Sequence, residues 1–538
     1  MDSLPPELLH RIGSLVANGE KLIAKYSTIS RAWQRVIEDR TFSHLSLVND
    51  KLHKFESAVL NSAYKHRRVA VRRVDYSIIL PSYDDHACGR FERQSDRQIN
   101  DQAFSKAIAE LFAALKITDA GDRSKPIDLH LRDFYSAMDF DRRDREKLGA
   151  DRLASSTGKR HDLFELRYQD SYLQLLDLEN IPQLHNVVSL NIDGNTNRKL
   201  APATVAGFMS KLPNLIAING SFWDRERRRP DQRRQLRSEL STQLAQITAP
   251  ERLRKFSLNL INTEPGNSNF VDADIRGSMF SANADDLSTA LRLFSQAAPC
   301  LTEVDLSGPI SLGPDLFGPL DGMNADTEQR WQKLEEFIVE LSGVRPDGGW
   351  YIELDPRRRN EEEEDDEEDD DEEEVEEEEE ENDEHNDRSG SSSSGYDSSD
   401  SFFAVDQLPP DSYGYEDERR DARLNGDKPS TSNFRTAPTL ELEALFLAAA
   451  RATTKMPALK FLSVGVEIRP STKTGGQIQH LEFEYVVAGV EYMDDGPDAT
   501  RFSRLYWDVP HGWRMNQKLE SQWLSLMGKD GIVRYNEW

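Results

Sequence analysis

The stretch Ala298–Leu306, APCLTEVDL, is where the fold of this chain can first be read. A proline-marked turn leads to Leu301, then two variable positions, Val304, one variable position, and Leu306. Val304 and Leu306 flank Asp305, the alternation of a short strand with one buried face. The same spacing returns at Val187/Leu190/Ile192, Leu253/Phe256/Leu258, Leu334/Phe337/Val339 and Leu459/Leu462/Val464, with a partial copy at Leu215/Ile218. Proline also marks the approach in LPNL, APERL and MPAL. Helical stretches precede several copies: Ala201–Leu212, Gln235–Ile247, Leu287–Ala297 and Leu440–Lys455. A unit of helix, turn and strand that recurs in this way stacks its strands side by side into a parallel sheet.

The copies begin 28, 38, 48, 33 and 125 residues apart, against ~20–29 in a regular leucine-rich repeat. Setting aside the low-complexity stretch 358–436 shortens the last gap to about 46. The expected fold class is therefore α/β, an irregular helix/strand domain that is leucine-rich-repeat-like. It spans 49–357, is interrupted by a disordered acidic and serine-rich insert at 358–436, and resumes over 437–538. A non-repeating α/β domain is the alternative. Ahead of the repeats, Val69–Leu80 and Ile127–Phe134 read as strands and Asp101–Leu115 as a helix with Asp101 at its N-cap. After them, His480–Val487 and Arg504–Val509 read as strands and Gln517–Leu526 as a helix, the parts of an α+β C-terminal cap. The aromatics gathered there, among them Tyr485, Tyr492, Tyr506, Trp507, Trp513, Trp523, Tyr535 and Trp538, read as cap packing or as a peptide-binding surface.

Charge is concentrated in one place. Glu361–Glu384 holds 22 acidic residues and no basic one, and removing them takes the net charge from −29 to −7. Like charges repel and no apolar side chains offset the ordering entropy, so this run is not expected to fold. It reads as a solvated linker or as a binding tail for a basic protein, with the serines of Ser389–Ser401 as candidate phosphorylation sites. The opposite charge appears in Arg225–Arg237, RERRRPDQRRQLR. It reads as an exposed helix face, an RNA-binding or nuclear-import segment, or a dock for the acidic run. Without interleaved aromatics it is poor support for nucleic-acid binding.

The first 48 residues form a separate helical unit. Leu4-Pro-Pro-Glu-Leu-Leu-His-Arg-Ile12 places apolar residues at helical spacing with prolines in the first turn. Ile29-Ser-Arg-Ala-Trp33 follows, and Phe42, Leu45 and Leu47 close the unit. So small a unit cannot bury all its leucines by itself, so part of its apolar face must meet a neighbour. These two motifs, in this order and approximate spacing, resemble an F-box, and with the repeats behind them the chain resembles a fungal-type F-box protein. The resemblance implies a substrate-receptor subunit that docks a Skp-type adaptor and a cullin ubiquitin ligase and recruits an unknown protein substrate through its repeats. It also implies that Leu4, Pro5, Leu8, Leu9, Ile12, Ile29 and Trp33 face the adaptor. A non-enzymatic scaffold or chromatin-associated protein, binding basic partners through the acidic run, is the alternative.

Catalysis finds no support. No phosphate-cradling glycine loop, zinc-protease motif or nucleophile elbow is present, and the Thr472–Gly476 stretch lacks the strand and following Lys-Ser/Thr of a phosphate loop. No catalytic residue, metal ligand or cofactor is expected. Two distant cysteines, Cys88 and Cys300, suit a reducing compartment. With no signal-peptide pattern and no long apolar run, the chain is expected in the cytoplasm or nucleus and not in a membrane.

Overall fold

The repeated motif turns into repeated geometry. In a computed structural model of the chain, the amides of Leu215, Leu253, Leu301 and Leu459 each donate to the carbonyl three residues earlier, at 3.0 to 3.4 Å. Pro213, Pro250, Pro299 and Pro457 lie in these four turns. The next residue then begins pairing with the preceding strand: Ile216, Arg254, Thr302 and Lys460 donate to Val188, Ile216, Arg254 and Glu335. The structure describes residues 23–538 and Leu8, Leu9, Arg11, Ile12 and Leu15 before them, apart from internal segments of which 142–166, 319–329 and 355–423 are the longest.

Twelve strands form one sheet in strict chain order. They are β1 (His44–Val48), β2 (Arg73–Leu80), β3 (Ile127–Ser136), β4 (Val187–Ile192), β5 (Ala217–Trp223), β6 (Lys255–Ile261), β7 (Glu303–Ile310), β8 (Glu336–Leu341), β9 (Phe461–Ile468), β10 (Gln479–Val486), β11 (Arg504–Val509) and β12 (Ile532–Glu537). From β1 to β9 every neighbour is parallel. β10 runs antiparallel to β9 and β11, and β12 is again parallel to β11. Parallel neighbours need a crossover connection, and helices supply most of them. The longer ones are α1 (Arg31–Thr41), α2 (Gln94–Asp119), α3 (Thr204–Lys211), α4 (Pro230–Gln246), α5 (Asp286–Ala297), α6 (Leu440–Ala452) and α7 (Gln517–Met527).

The register brings the motif residues together. One cross-strand row runs Val74, Leu129, Leu190, Ile218, Phe256, Val304, Phe337, Leu462 and Tyr485; the next runs Tyr76, Leu131, Ile192, Gly220, Leu258, Leu306, Val339, Val464 and Phe483. The side chains of both rows are buried. Helices meet these rows along the whole sheet. The Tyr76 hydroxyl donates to Ala107 of α2, Phe256 lies 5.1 Å from Phe294 of α5, and Phe483 lies 5.2 Å from Phe446 of α6 and 5.1 Å from Trp523 of α7. Those four helices therefore share one side of the sheet, and the residues alternating with the two rows line the other.

The mixed α/β architecture with a large, mostly parallel sheet agrees with the expected class, and several details differ. His44–Val48, assigned above to the N-terminal helical unit, is the first strand of the sheet. Val69 and Ala70 end a short helix (Lys65–Ala70) instead of opening β2. Asp101 is not an N-cap, because α2 begins seven residues earlier; its carboxylate accepts the Gln174 amide at 2.8 Å. The C-terminal strands do not build a separate cap but extend the same sheet. Around the expected insert, Ile352–Leu354 pairs antiparallel with Arg435–Pro438, so the chain leaves and re-enters the fold through a two-stranded stem. The acidic run, the serine stretch and Thr472–Gly476 lie outside the described residues.

Candidate functional site

Of the places expected to bear function, the N-terminal unit, the arginine-rich segment, the repeats and the C-terminal aromatics include described residues, whereas the acidic run does not. In the first, Ser30 is the N-cap of α1, with extended backbone and a hydroxyl that accepts the Trp33 amide at 3.3 Å. That is a physical reason for serine in the ISRAW motif. Trp33, Val36 and Ile37 turn inward from α1 and enclose Leu9, a small core separate from that of the sheet. Leu9 and Trp33 are 3% and 6% exposed, so they hold the unit together and do not face a partner, contrary to the expectation for both. Leu8, Ile12, Leu15 and Ile29 are exposed at 47%, 37%, 68% and 47%. Leu8, Ile12 and Leu15 follow one another at four- and three-residue intervals, one face of a helix. Leu4 and Pro5 lie outside the described residues.

The unit is tied to the sheet through Glu38, which is 7% exposed. Arg67, on the helix just before β2, grips both its oxygens at 2.7 and 3.1 Å, and His66 and Gln34 add hydrogen bonds at 2.5 and 2.9 Å. The Arg67 hydrogen bonds outweigh burial and hold the Glu38 carboxyl down at about 2.

Three arginines of the arginine-rich segment do not lie on an exposed face. Arg227, Arg233 and Arg237 are at most 4% exposed and meet carboxylates that are equally buried. Arg233 bridges Asp224 (3.0 Å) and Asp272 (2.9 Å); Arg227 binds Asp272 (3.0 Å); Arg237 reaches Asp224 (3.1 Å), Asp285 (3.5 Å) and the Ser311 carbonyl (2.7 Å). Burial works against the charge on Asp224, but Arg233 and Arg237 hold its carboxyl below the usual range. The acidic partners sit next in sequence to β5, 11 residues past the end of β6, and at the N-cap of α5. Arg227, Arg233 and Arg237 therefore clamp the loops at the C-terminal ends of β5–β7, which removes these three arginines from any role in binding RNA or the acidic run.

The side of the sheet opposite α2, α5, α6 and α7 is polar. Asp75, His130, Asn191, Asn219, Ser257 and Asp305 stand in one cross-strand row. Toward β8–β11 it becomes acidic: Glu340, Gly465, Glu482 and Asp508 occupy a single row. A Cβ on Gly465 would lie 2.6 Å from that of Glu482, so the glycine makes the space for this carboxylate. Burial, reinforced by Glu484, Asp508 and Glu340, pushes the Glu482 carboxyl up to about 7. None of these carboxylates was singled out from the sequence, although Glu482-Phe-Glu-Tyr485 alternates as plainly as the repeats do. Of the C-terminal aromatics, Tyr485, Trp507 and Trp523 are core residues, while Tyr492 and Tyr506 are half-buried.

The chain matches no family model, no curated protein and no solved structure. Among the described residues no group of His, Cys, Asp and Glu is arranged to hold a metal ion, and no helix is long and apolar enough to cross a membrane.

Proposed function

We propose that this chain is the substrate-receptor subunit of a Skp–cullin–F-box ubiquitin ligase. In this reading the N-terminal unit docks the adaptor, the sheet domain recruits a protein substrate, and the chain itself performs no chemistry. Its effect is to raise the local concentration of substrate lysines near the conjugating enzyme. The observation that carries the reading is the exposed apolar row Leu8, Ile12 and Leu15, with Ile29 also exposed, on a unit carrying LPPELLHRI and ISRAW. Its small core of Leu9, Trp33, Val36 and Ile37 leaves this row uncovered. Side chains that are about half exposed gain roughly 1 kcal/mol each when a partner buries the rest, about half the value for a whole Leu or Ile side chain.

The test is co-purification with a Skp-type adaptor. Wild type should retain it, and Leu8→Asp/Ile12→Asp should lose it while melting at the same temperature. Trp33→Ala is the control for the unit's own folding, since Trp33 lies in its core. An adaptor that ignores the wild-type chain ends the reading.

A further inference from the structure

We propose that the acidic run Glu361–Glu384 docks on the basic surface of the N-terminal unit within the same chain. The proposal goes beyond the adaptor reading and does not depend on it, since it concerns the charged side of α1 and not the exposed apolar row. From Arg31 to Arg73 the chain carries ten lysines and arginines and four aspartates and glutamates, a net charge of +6 in a protein of net charge −29. The fold gathers part of this charge. The helix Lys65–Ala70 lies against α1 where Glu38 meets Gln34, His66 and Arg67. Arg31 and Arg35 stand seven and three residues before Glu38, on the same face of α1. Lys65 precedes His66 on the neighbouring helix.

These cations are not neutralised by their surroundings. Arg31, Arg35 and Lys65 are exposed, and none has an ion pair or a side-chain hydrogen bond with a described residue. Arg68, three residues beyond Lys65, has a buried Nε with no hydrogen-bond partner. Of the four carboxylates in the segment, Glu38 is taken by Arg67 and His66, and Asp39 acts on Arg72. Asp50 and Glu56 form no ion pair with a described residue. Arg31 and Arg35, four apart on one helix, repel each other, and an anion laid along them relieves that repulsion.

The occupant follows from charge and from the length of the tether. The run brings 22 acidic residues and no basic one. The other arginine-rich stretch is already engaged, since Arg227, Arg233 and Arg237 are buried on carboxylates. β1 lies seven strand positions from β8, roughly 34 Å at ~4.8 Å per strand. The run begins seven residues after Leu354 and ends 51 before Arg435, so its midpoint can extend roughly 60 Å from the stem at ~3.3 Å per residue. Tethering makes the contact intramolecular and favours the run over acidic segments free in solution.

The experiment is zero-length carbodiimide cross-linking of the full chain in low salt, read by proteolysis and mass spectrometry. The reagent joins a carboxylate to an amine only where the two touch. Wild type should give cross-links from Glu361–Glu384 to Lys65, and far fewer to Lys106 and Lys518, which are exposed elsewhere on the molecule. Arg31→Glu/Arg35→Glu should lower the Lys65 yield several-fold at an unchanged melting temperature, because neither side chain has a partner to lose. If that variant melts early, wild type in about 1 M salt, where the Debye length is ~3 Å, should show the same loss. Mixing isotopically labelled and unlabelled chains separates contact within a chain from contact between copies. No cross-link to Lys65, cross-links spread evenly over the three lysines or formed only between copies, or a yield that neither charge reversal nor salt changes, leaves this surface to another acidic partner and overturns the proposal.

Discussion

Glu38 and Glu482 respond to pH in opposite senses, and each sense follows from what surrounds the carboxylate. Glu38 is held down at about 2 by the Arg67 hydrogen bonds, so its contribution is complete above the ordinary carboxylate range and fades as pH falls through about 2. Glu482 is raised to about 7, chiefly by burial and then by Glu484. Its protonated form is the one the fold favours. That contribution is complete below about 4.5 and is lost as pH rises through about 7, after which it stays constant. The interval corresponds to about 3.5 kcal/mol at most, at ~1.4 kcal/mol for each pKa unit. Urea unfolding of the wild type should therefore show stability declining between pH 5 and pH 8, and Glu482→Gln should remove most of the decline. A variant that declines as steeply as the wild type would show that this carboxylate does not carry the effect.

At the level of elements, the rows of the sheet were legible and the ends of its strands were not. Apolar spacing at Leu301/Val304/Leu306 and its copies located β4 and β6–β9, and the helices before them agree to within a few residues or one turn. Periodicity records burial, and these side chains are all buried. It failed at β1, where Leu45 and Leu47 carry the same alternation but adjoin the helical motifs and were grouped with them. It failed more instructively at Arg225–Arg237, because a run of arginines reads as solvated unless its partners are known. Two of those partners, Asp272 and Asp285, lie 35 or more residues away from Arg237, and none of the three, Asp224 included, carries a periodic signal. The clamp makes a testable difference: removing one member of a buried charge network leaves the others uncompensated, at a cost of about 3–5 kcal/mol. Asp224→Ala, which strips Arg233 and Arg237 of a shared partner, should lower stability by that amount in denaturant unfolding. Arg234→Ala, on the same helix but half-buried and paired to exposed Asp231, should change it by well under about 1 kcal/mol. Equal losses would mean that the network's burial is not what matters.

For the whole molecule, the decisive feature is that a sheet in strict chain order tolerates an interruption between two neighbouring strands. β8 and β9 pair directly although 119 residues separate Leu341 from Phe461. The stem explains how: Glu353 pairs with Ala437 and Leu354 with Arg435, so the two ends of the insert already lie side by side. Between them run about 80 residues whose closure the fold must offset, and that cost grows only as (3/2)RT ln n. Deleting 361–416 removes the acidic run and the serine stretch and leaves a connection of about 24 residues, a change worth about 1 kcal/mol in favour of the folded state. The deletion spares Gly426, whose left-handed backbone (φ 77°) lets it lie close against Phe270 and Pro265. The shortened chain should therefore melt at the same temperature as the full one or a few degrees above it. A shortened chain that loses cooperative melting would instead mean that the removed residues pack on the sheet domain and help to complete it.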